Sequence, residues 1–316
     1  MKILGWTLGA VGGLLLTVVG AEVALNWVPD RPVSELAPRW AQPPSEFVEV
    51  AGMSMHLRDE GPQSDPVPIV LLHGTSSSLH TWDGWARALS THRRVIRFDL
   101  PGFGLTGPAP NGNYKIENYT RVLLALLDRL GVERVDLAGN SFGGYVAWVT
   151  ALLHPDRVRR LVLVDSAGYP YEPKSVPLGF RLARIPALSW LVENVTPRRV
   201  IESSLRNVYG HPERVTPELV DLYFDLATRA GNRRALIERF RQAAPGEYAE
   251  RLSTIRAPTL ILWGGRDQLI PPEFGRRFSR DIAASQLVVF GDLGHVPQEE
   301  DPQATLMAAS SFLGSQ

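Results

Sequence analysis

The sequence predicts an α/β fold: a mostly parallel sheet with helices on both faces, and an all-helical cap inserted between two of its strands. Three observations carry this. Short apolar runs alternate with stretches of helical spacing over residues 46–168. From 169 to 252 the spacing is helical throughout, broken by prolines at 177, 186, 197, 212, 217 and 245. The strand-helix rhythm then resumes over 253–316. Strands that alternate with helices pair in parallel, because each crossover needs a helix to return the chain to the same edge. A helical insertion inside one such series is read as a cap over the sheet rather than as an independent domain.

Taken in order, the chain begins with an uncharged run from Ile3 to Val19, and with Glu22 as the exception it stays uncharged to Val28. That length approaches the ~20 residues that cross a bilayer. It also exceeds the usual apolar region of a cleaved signal, about 7 to 15 residues. Residues 1–28 are therefore expected to be a membrane anchor or signal-anchor helix spanning 3–28, with secretion after cleavage near Val19-Gly20-Ala21 as the alternative. Lys2 and the terminal amine put the amino end in the cytoplasm and the following domain on the other side, although Arg31 and Arg39 weigh against that orientation. Residues 29–45, with prolines at 29, 32, 38, 43 and 44, read as an extended linker.

A hairpin is expected next, with Phe47 to Val50 and Ser54 to Arg58 flanking Gly52. Strands follow at Ile69 to Leu72, Val95 to Phe98, Val135 to Ala138 and Leu161 to Val164, with helices at Trp82 to Leu89, Ile116 to Leu130 and Tyr145 to Leu153. Gly131 is placed to end the second of these helices. Beyond the cap, Leu260 to Trp263 and Leu287 to Phe290 read as strands, and Pro302 to Leu313 as a closing helix. No internal repeat is evident.

Composition narrows the chemistry. A 44% hydrophobic content suits a substantial core, and the 33 basic and 33 acidic residues cancel without forming blocks, so no nucleic-acid partner is expected. The chain has no cysteine. Disulfides, thiolate metal sites and a cysteine nucleophile are excluded together, and no metal site is expected.

The segment Gly139 to Gly144, GNSFGG, sits between an expected strand and an expected helix. This is the pattern of a nucleophile elbow, in which a serine on a strained turn is lifted out of the sheet toward substrate. Ser141 is the candidate nucleophile, and Gly139 and Gly143 let strand and helix approach closely. Its bland alternative is a glycine-rich turn with a surface serine. A serine hydroxyl needs a base and an orienting carboxylate. His295, in GDLGHVPQEEDP, follows a strand at its carboxyl end, the edge where open parallel sheets bind ligands. His154 before Pro155 reads as structural, and His56, His80, His92 and His211 lie in contexts without a partner signal. Asp267, in GGRDQLIPP, follows the preceding strand and is the candidate acid, with Asp165 at the end of Leu161 to Val164 as its rival. The expected oxyanion donors are the backbone N–H groups of Phe142 and Thr75, with Ser76 as the alternative to Thr75. His73 is expected to order its loop, and Asp99 in DLPGFG to be structural.

Together HGT at 73–75, DLPGFG at 99–104, GNSFGG at 139–144, GGRDQLIP at 264–271 and GDLGH at 291–295 resemble the α/β-hydrolase superfamily over about residues 47–313. The resemblance implies an eight-stranded, mostly parallel sheet, a cap over the site, and serine hydrolase chemistry without a cofactor. Haloalkane dehalogenases and epoxide hydrolases of the superfamily carry an aspartate where this chain has Ser141, which argues against both chemistries. The expected reaction is hydrolysis of a small-molecule carboxylic ester through an acyl-enzyme on Ser141. The apolar cap residues Leu178, Phe180, Leu182, Ile185, Leu188 and Trp190 are candidates for an acyl pocket or for packing within the cap. A first alternative is serine-dependent hydrolysis of a carbon–carbon bond in vinylogous diketones, with Arg181 or Arg184 binding the substrate carboxylate. The alternative from another class is a membrane-tethered, non-catalytic binding module on the same scaffold. A perhydrolase side activity is compatible with the same residues.

Overall fold

The structure, a computed structural model, describes residues 20–170 and 172–314. One sheet of eight strands runs in the order β1-β2-β4-β3-β5-β6-β7-β8. Its members are β1 (Ser45–Val50), β2 (Met53–Glu60), β3 (Ile69–Leu72), β4 (Val95–Phe98), β5 (Val135–Asn140), β6 (Val158–Val164), β7 (Thr259–Gly264) and β8 (Ser285–Phe290). Neighbours from β4 to β8 pair in parallel, while β2 is antiparallel to both β1 and β4. The continuous apolar runs are the reason: β3, β4 and β5 are buried at every position, as strands covered on both faces must be. The hairpin turns where expected, with Ala51 at φ 53° and Gly52 at φ 77°, the two left-handed residues of a tight two-residue connection.

Two apolar layers cover the sheet. Helices Ile116–Arg129, Phe142–Leu153 and Glu273–Asp281 bury Tyr119, Leu123, Val146, Trp148 and Phe278 on one face. Helices Asp83–Leu89 and Pro302–Leu313 bury Trp85, Ala86, Leu89, Ala309 and Leu313 on the other. Gly131, at φ 67°, ends the first of these helices, as its position predicts. The helix Glu273–Asp281 has no counterpart in the sequence reading, because its segment EFGRRFSRD has too few apolar residues to show a stripe. It packs through Phe278 and through Gly275, where a Cβ would lie 2.8 Å from the Trp263 ring.

Between β6 and β7 the chain forms helices Leu178–Ala183, Ser189–Asn194, Arg198–Val208, Pro217–Ala227 and Asn232–Gln242. They share a small apolar cluster at Leu205, Tyr209, Val215 and Val220, closed from below by Val296, which follows β8.

From residue 20 to residue 45 the chain departs from expectation. Residues 1–19, which hold most of the expected anchor 3–28, lie outside the described residues, and no described helix is long and apolar enough to cross a membrane. The rest of that run lies on the cap: Val28 N–H donates to Asn194 O at 2.9 Å and Thr196 N–H to Asn26 O at 3.1 Å. The expected extended linker, 29–45, instead contains a helix, Val33–Trp40. Pro32 precedes its first turn, a position that tolerates proline. Leu36 is buried among Leu105, Leu222 and Leu226, and Trp40 Nε1 donates to Asp225 at 2.8 Å. Proline content suggested an unpacked tether; one buried leucine and a set of ion pairs to the cap make it a strap.

Candidate active site

Ser141 sits between β5 and the helix Phe142–Leu153 at φ 54°, ψ −116°, a conformation that costs an L-residue of order 1–3 kcal/mol unless its surroundings impose it. They do. A Cβ on Gly139 would lie 2.3 Å from Gly143 O, and one on Gly143 would lie 2.4 Å from Leu72 O. Strand, turn and helix are thus packed to backbone contact, and only glycine fits at either position.

Asp267 follows β7 and is buried. Its Oδ1 accepts from Leu269 N–H at 2.8 Å and Ile270 N–H at 2.9 Å, and its Oδ2 lies 2.7 Å from His295 Nδ1. The carboxylate oxygen so placed fixes the imidazole with Nδ1–H toward it and leaves Nε2 free to face the cavity. His295 is itself fastened: its N–H donates to Val208 O at 2.7 Å, and its carbonyl accepts from Asn140 Nδ2 at 2.9 Å. Asn140, the first variable position of the elbow, therefore ties the Ser141 turn to the His295 loop. Glu300 completes the fastening, accepting from Gly294 N–H at 2.8 Å and from His211 N–H, on the cap, at 2.7 Å.

Asp165, the rival acid, lies beside this pair. Ligand atoms of Asp165, Asp267 and His295 all fall within 4.8 Å of one another. Asp165 sits at φ 44° and its Oδ1 accepts from Gly264 N–H at 2.9 Å. Burial, and then the charge of Asp267, push the Asp165 carboxyl well above its ordinary range. Two adjacent buried carboxylates do not both ionise, and the one with the single donor holds the proton. The geometry thus separates the two aspartates: one contacts the imidazole, and the other is a neutral acid behind it.

Thr75, Ser141 and His295 face one cavity of about 270 Å³ beneath the cap. A Cβ on Gly74 would lie 3.2 Å from Ser141 Cβ, which shows how near the loop carrying Thr75 comes to the elbow. Phe142 begins the helix after Ser141, so its N–H stands at the positive end of the helix dipole. Arg239, from the cap, joins these two expected donors: its Nη2 donates to Thr75 Oγ1 at 2.8 Å and its guanidinium stacks 4.2 Å over the Phe142 ring. His73 is structural, as expected. Its Nδ1 donates to Gly74 O at 2.7 Å, its Nε2 accepts from Leu100 N–H at 2.9 Å, and burial lowers its pKa. Asp99 likewise serves the fold, accepting from the N–H groups of Leu79 and Leu105.

The six cap residues expected as an acyl pocket divide. Phe180 and Leu182 line the cavity, whereas Leu178, Ile185, Leu188 and Trp190 do not. Leu178, Ile185 and Trp190 are 42%, 44% and 61% exposed. Arg181 and Arg184 are exposed and outside the cavity lining. The lining residues that the sequence reading missed include Ile201, Leu205, Tyr223, Arg233 and Leu236. Their helical spacing was visible; which side of each helix faces Ser141 was not.

A protein-family model described as alpha/beta hydrolase fold matches residues 67–302. The chain is 34% identical, over 85% of its own length and 96% of the relative, to a 2-hydroxy-6-oxo-2,4-heptadienoate hydrolase of Pseudomonas putida. Among solved structures, a meta-cleavage product hydrolase from Pseudomonas fluorescens superposes with a TM-score of 0.71 at 27% identity, over 85% of this chain and 96% of that one. A membrane phospholipase A superposes with a TM-score of 0.73 at 25% identity, over 99% of this chain and 98% of the other.

Proposed function

This chain belongs to the α/β-hydrolase family and is a hydrolase, and we propose that it cleaves a carboxylic ester through an acyl-enzyme on Ser141. Ser141 Oγ attacks the carbonyl carbon while His295 Nε2 takes its proton, and Asp267 stabilises the imidazolium. The N–H groups of Phe142 and Thr75 hold the oxyanion. His295 returns the proton to the leaving alcohol, then activates the water that releases the acid. The observation that carries the ester reading is the cavity wall. It is mostly aliphatic, and the guanidinium in its lining, Arg233, is engaged through its two Nη atoms by Asp30 at 2.7 Å and Thr196 Oγ1 at 3.0 Å, which leaves only its buried Nε without a partner among the described residues. An uncharged acyl group suits such a wall, and a carboxylate does not.

By relatedness the second reading leads. The curated relatives are hydrolases of 2-hydroxy-6-oxo-dienoates, so the first alternative, serine-dependent cleavage of a carbon–carbon bond in a vinylogous diketone, is better supported by sequence kinship than the ester is. Such a substrate carries a carboxylate, and in the cavity lining the Nε–H of Arg233 is the guanidinium donor left for it, its Nη atoms being held by Asp30 and Thr196. The ester reading draws in turn on the likeness to the phospholipase. Hydrolysis of p-nitrophenyl acyl esters measured beside 2-hydroxy-6-oxohepta-2,4-dienoate separates the two. The ester reading expects kcat/KM for the best ester to exceed that for the dienoate at least tenfold, and the reverse ratio establishes the carbon–carbon reading.

We further propose, on the sequence alone, that the apolar run begun at Ile3 within residues 3–28, whose end at Asn26 and Val28 rests on the cap, holds the enzyme at a membrane with its site on the non-cytoplasmic side. Fractionation of the full chain tests this: recovery in the soluble fraction at full mass removes the anchor.

A further inference from the structure

The cavity beneath the cap contains a polar cluster that the reaction does not use. Ser77 and Tyr223 both line it. Ser77 Oγ lies 3.0 Å from the Tyr223 hydroxyl, which donates to Glu299 Oε2 at 2.9 Å, while Tyr209 donates to Glu299 Oε1 at 2.6 Å. Each carboxylate oxygen is therefore filled by a phenol. Burial, and then the Glu299 charge, raise both phenols above their ordinary range, so they keep their protons and remain donors. Burial raises Glu299 as well, and hydrogen bonds from Tyr209, Thr81 and Tyr223 oppose that rise.

With Glu299 ionised, the hydroxyl inventory sets the direction of the chain. The proton of Tyr223 goes to Glu299, so its oxygen accepts from Ser77, and Ser77 spends its own proton on Tyr223. What remains toward the cavity is the lone pairs of Ser77 Oγ, an acceptor face backed by a buried carboxylate. Such a face takes a hydrogen-bond donor and disfavours an anion. Its place is also defined: Ser77 belongs to the loop that carries Thr75, two residues from the expected oxyanion donor. A group bound there stands on the same loop as Thr75, in the cavity that Ser141 faces.

We propose that Ser77, Tyr223 and Glu299 form a leaving-group subsite for a free hydroxyl on the alcohol half of the ester, making the substrate class an acyl ester of a polyol such as glycerol. This rests on the ester reading above. The test compares 1-octanoylglycerol with propyl octanoate, which has the same acyl chain and carbon count but no free hydroxyl. The wild-type enzyme is expected to favour the glycerol ester in kcat/KM by about three- to tenfold, the worth of one neutral hydrogen bond. In Tyr223→Phe and Ser77→Ala that ratio falls toward one. A wild-type ratio at or below one overturns the subsite without recourse to any variant, as does a ratio that both variants leave intact. In those cases turnover of propyl octanoate keeps the ester reading standing, whereas no turnover of either ester overturns both.

Discussion

The carboxyl edge of the sheet and the cap above it meet at one cavity but are built on different principles. At the sheet edge each group of the proposed triad is held chiefly by main chain: Ser141 by the contact of Gly139 and Gly143 with neighbouring main chain, Asp267 by two amides, and His295 by its own N–H and carbonyl, which meet Val208 O of the cap helix Arg198–Val208 and the Asn140 side chain. On the cap side the cavity is walled by side chains from separate helices, such as Phe180, Ile201 and Leu236. Precise placement is a property of the sheet edge, where strain and hydrogen bonds leave one geometry. Shape and apolarity belong to the cap, where many side chains fit. The chemistry should therefore be intolerant of change, and the substrate range adjustable.

The largest effect should come from removing the nucleophile. Ser141→Ala is expected to lower kcat by about 10⁴-fold or more, measured on any ester the wild-type enzyme turns over. Next are the two aspartates, which sharpen the contrast within the sheet edge itself. Asp267→Asn should lower kcat by about 10⁴-fold, since it loses the charge that holds the imidazole. Asp165→Asn replaces a neutral acid by a neutral amide and should stay within about tenfold of wild type. Activity assays of both variants decide this, and a dead Asp165→Asn beside an active Asp267→Asn reverses the assignment.

The same residue gives a stability signature. The folded-state pKa of Asp165 is raised, so its contribution is fully present below the unfolded value of about 3.9 and is lost as pH climbs toward the folded value. Thermal melts should show Asp165→Asn gaining on the wild-type protein as pH rises above about 4, with no pH-linked gain below that value.

Smaller effects are expected where cap meets sheet. Arg239→Met removes the bond to Thr75 Oγ1 and the stacking on Phe142, and should lower kcat about tenfold with little change in KM. Ile201→Trp, on the cap wall, should leave the chemistry in place but lower the ratio of octanoate to acetate hydrolysis about tenfold by filling the cavity. A large loss of kcat on acetate in this variant would break the division between the two regions.

That division also explains what was legible in the sequence. The strands could be read because burial on both faces demands unbroken apolar runs. The elbow could be read because a serine turned out of a sheet needs small residues two before and two after it. Asp267 and His295 followed from their positions just beyond strands. Tyr223, Arg233 and Ile201 did not follow, because a helical period shows that a face exists without showing what it faces. Arg239 escaped because its role depends on a long side chain reaching another element. The strap Val33–Trp40 was hidden by its prolines, since Leu36 acquires meaning only against Leu222 and Leu226, far along the chain.

The central claim is that Ser141, activated by His295, is the group that becomes acylated. Intact-protein and peptide mass spectrometry after reaction with a fluorophosphonate tests it most directly. The account predicts a single adduct, on the peptide carrying Ser141, absent from Ser141→Ala and slowed in His295→Ala. A folded wild-type protein that forms no adduct, or forms it on another residue, would contradict it.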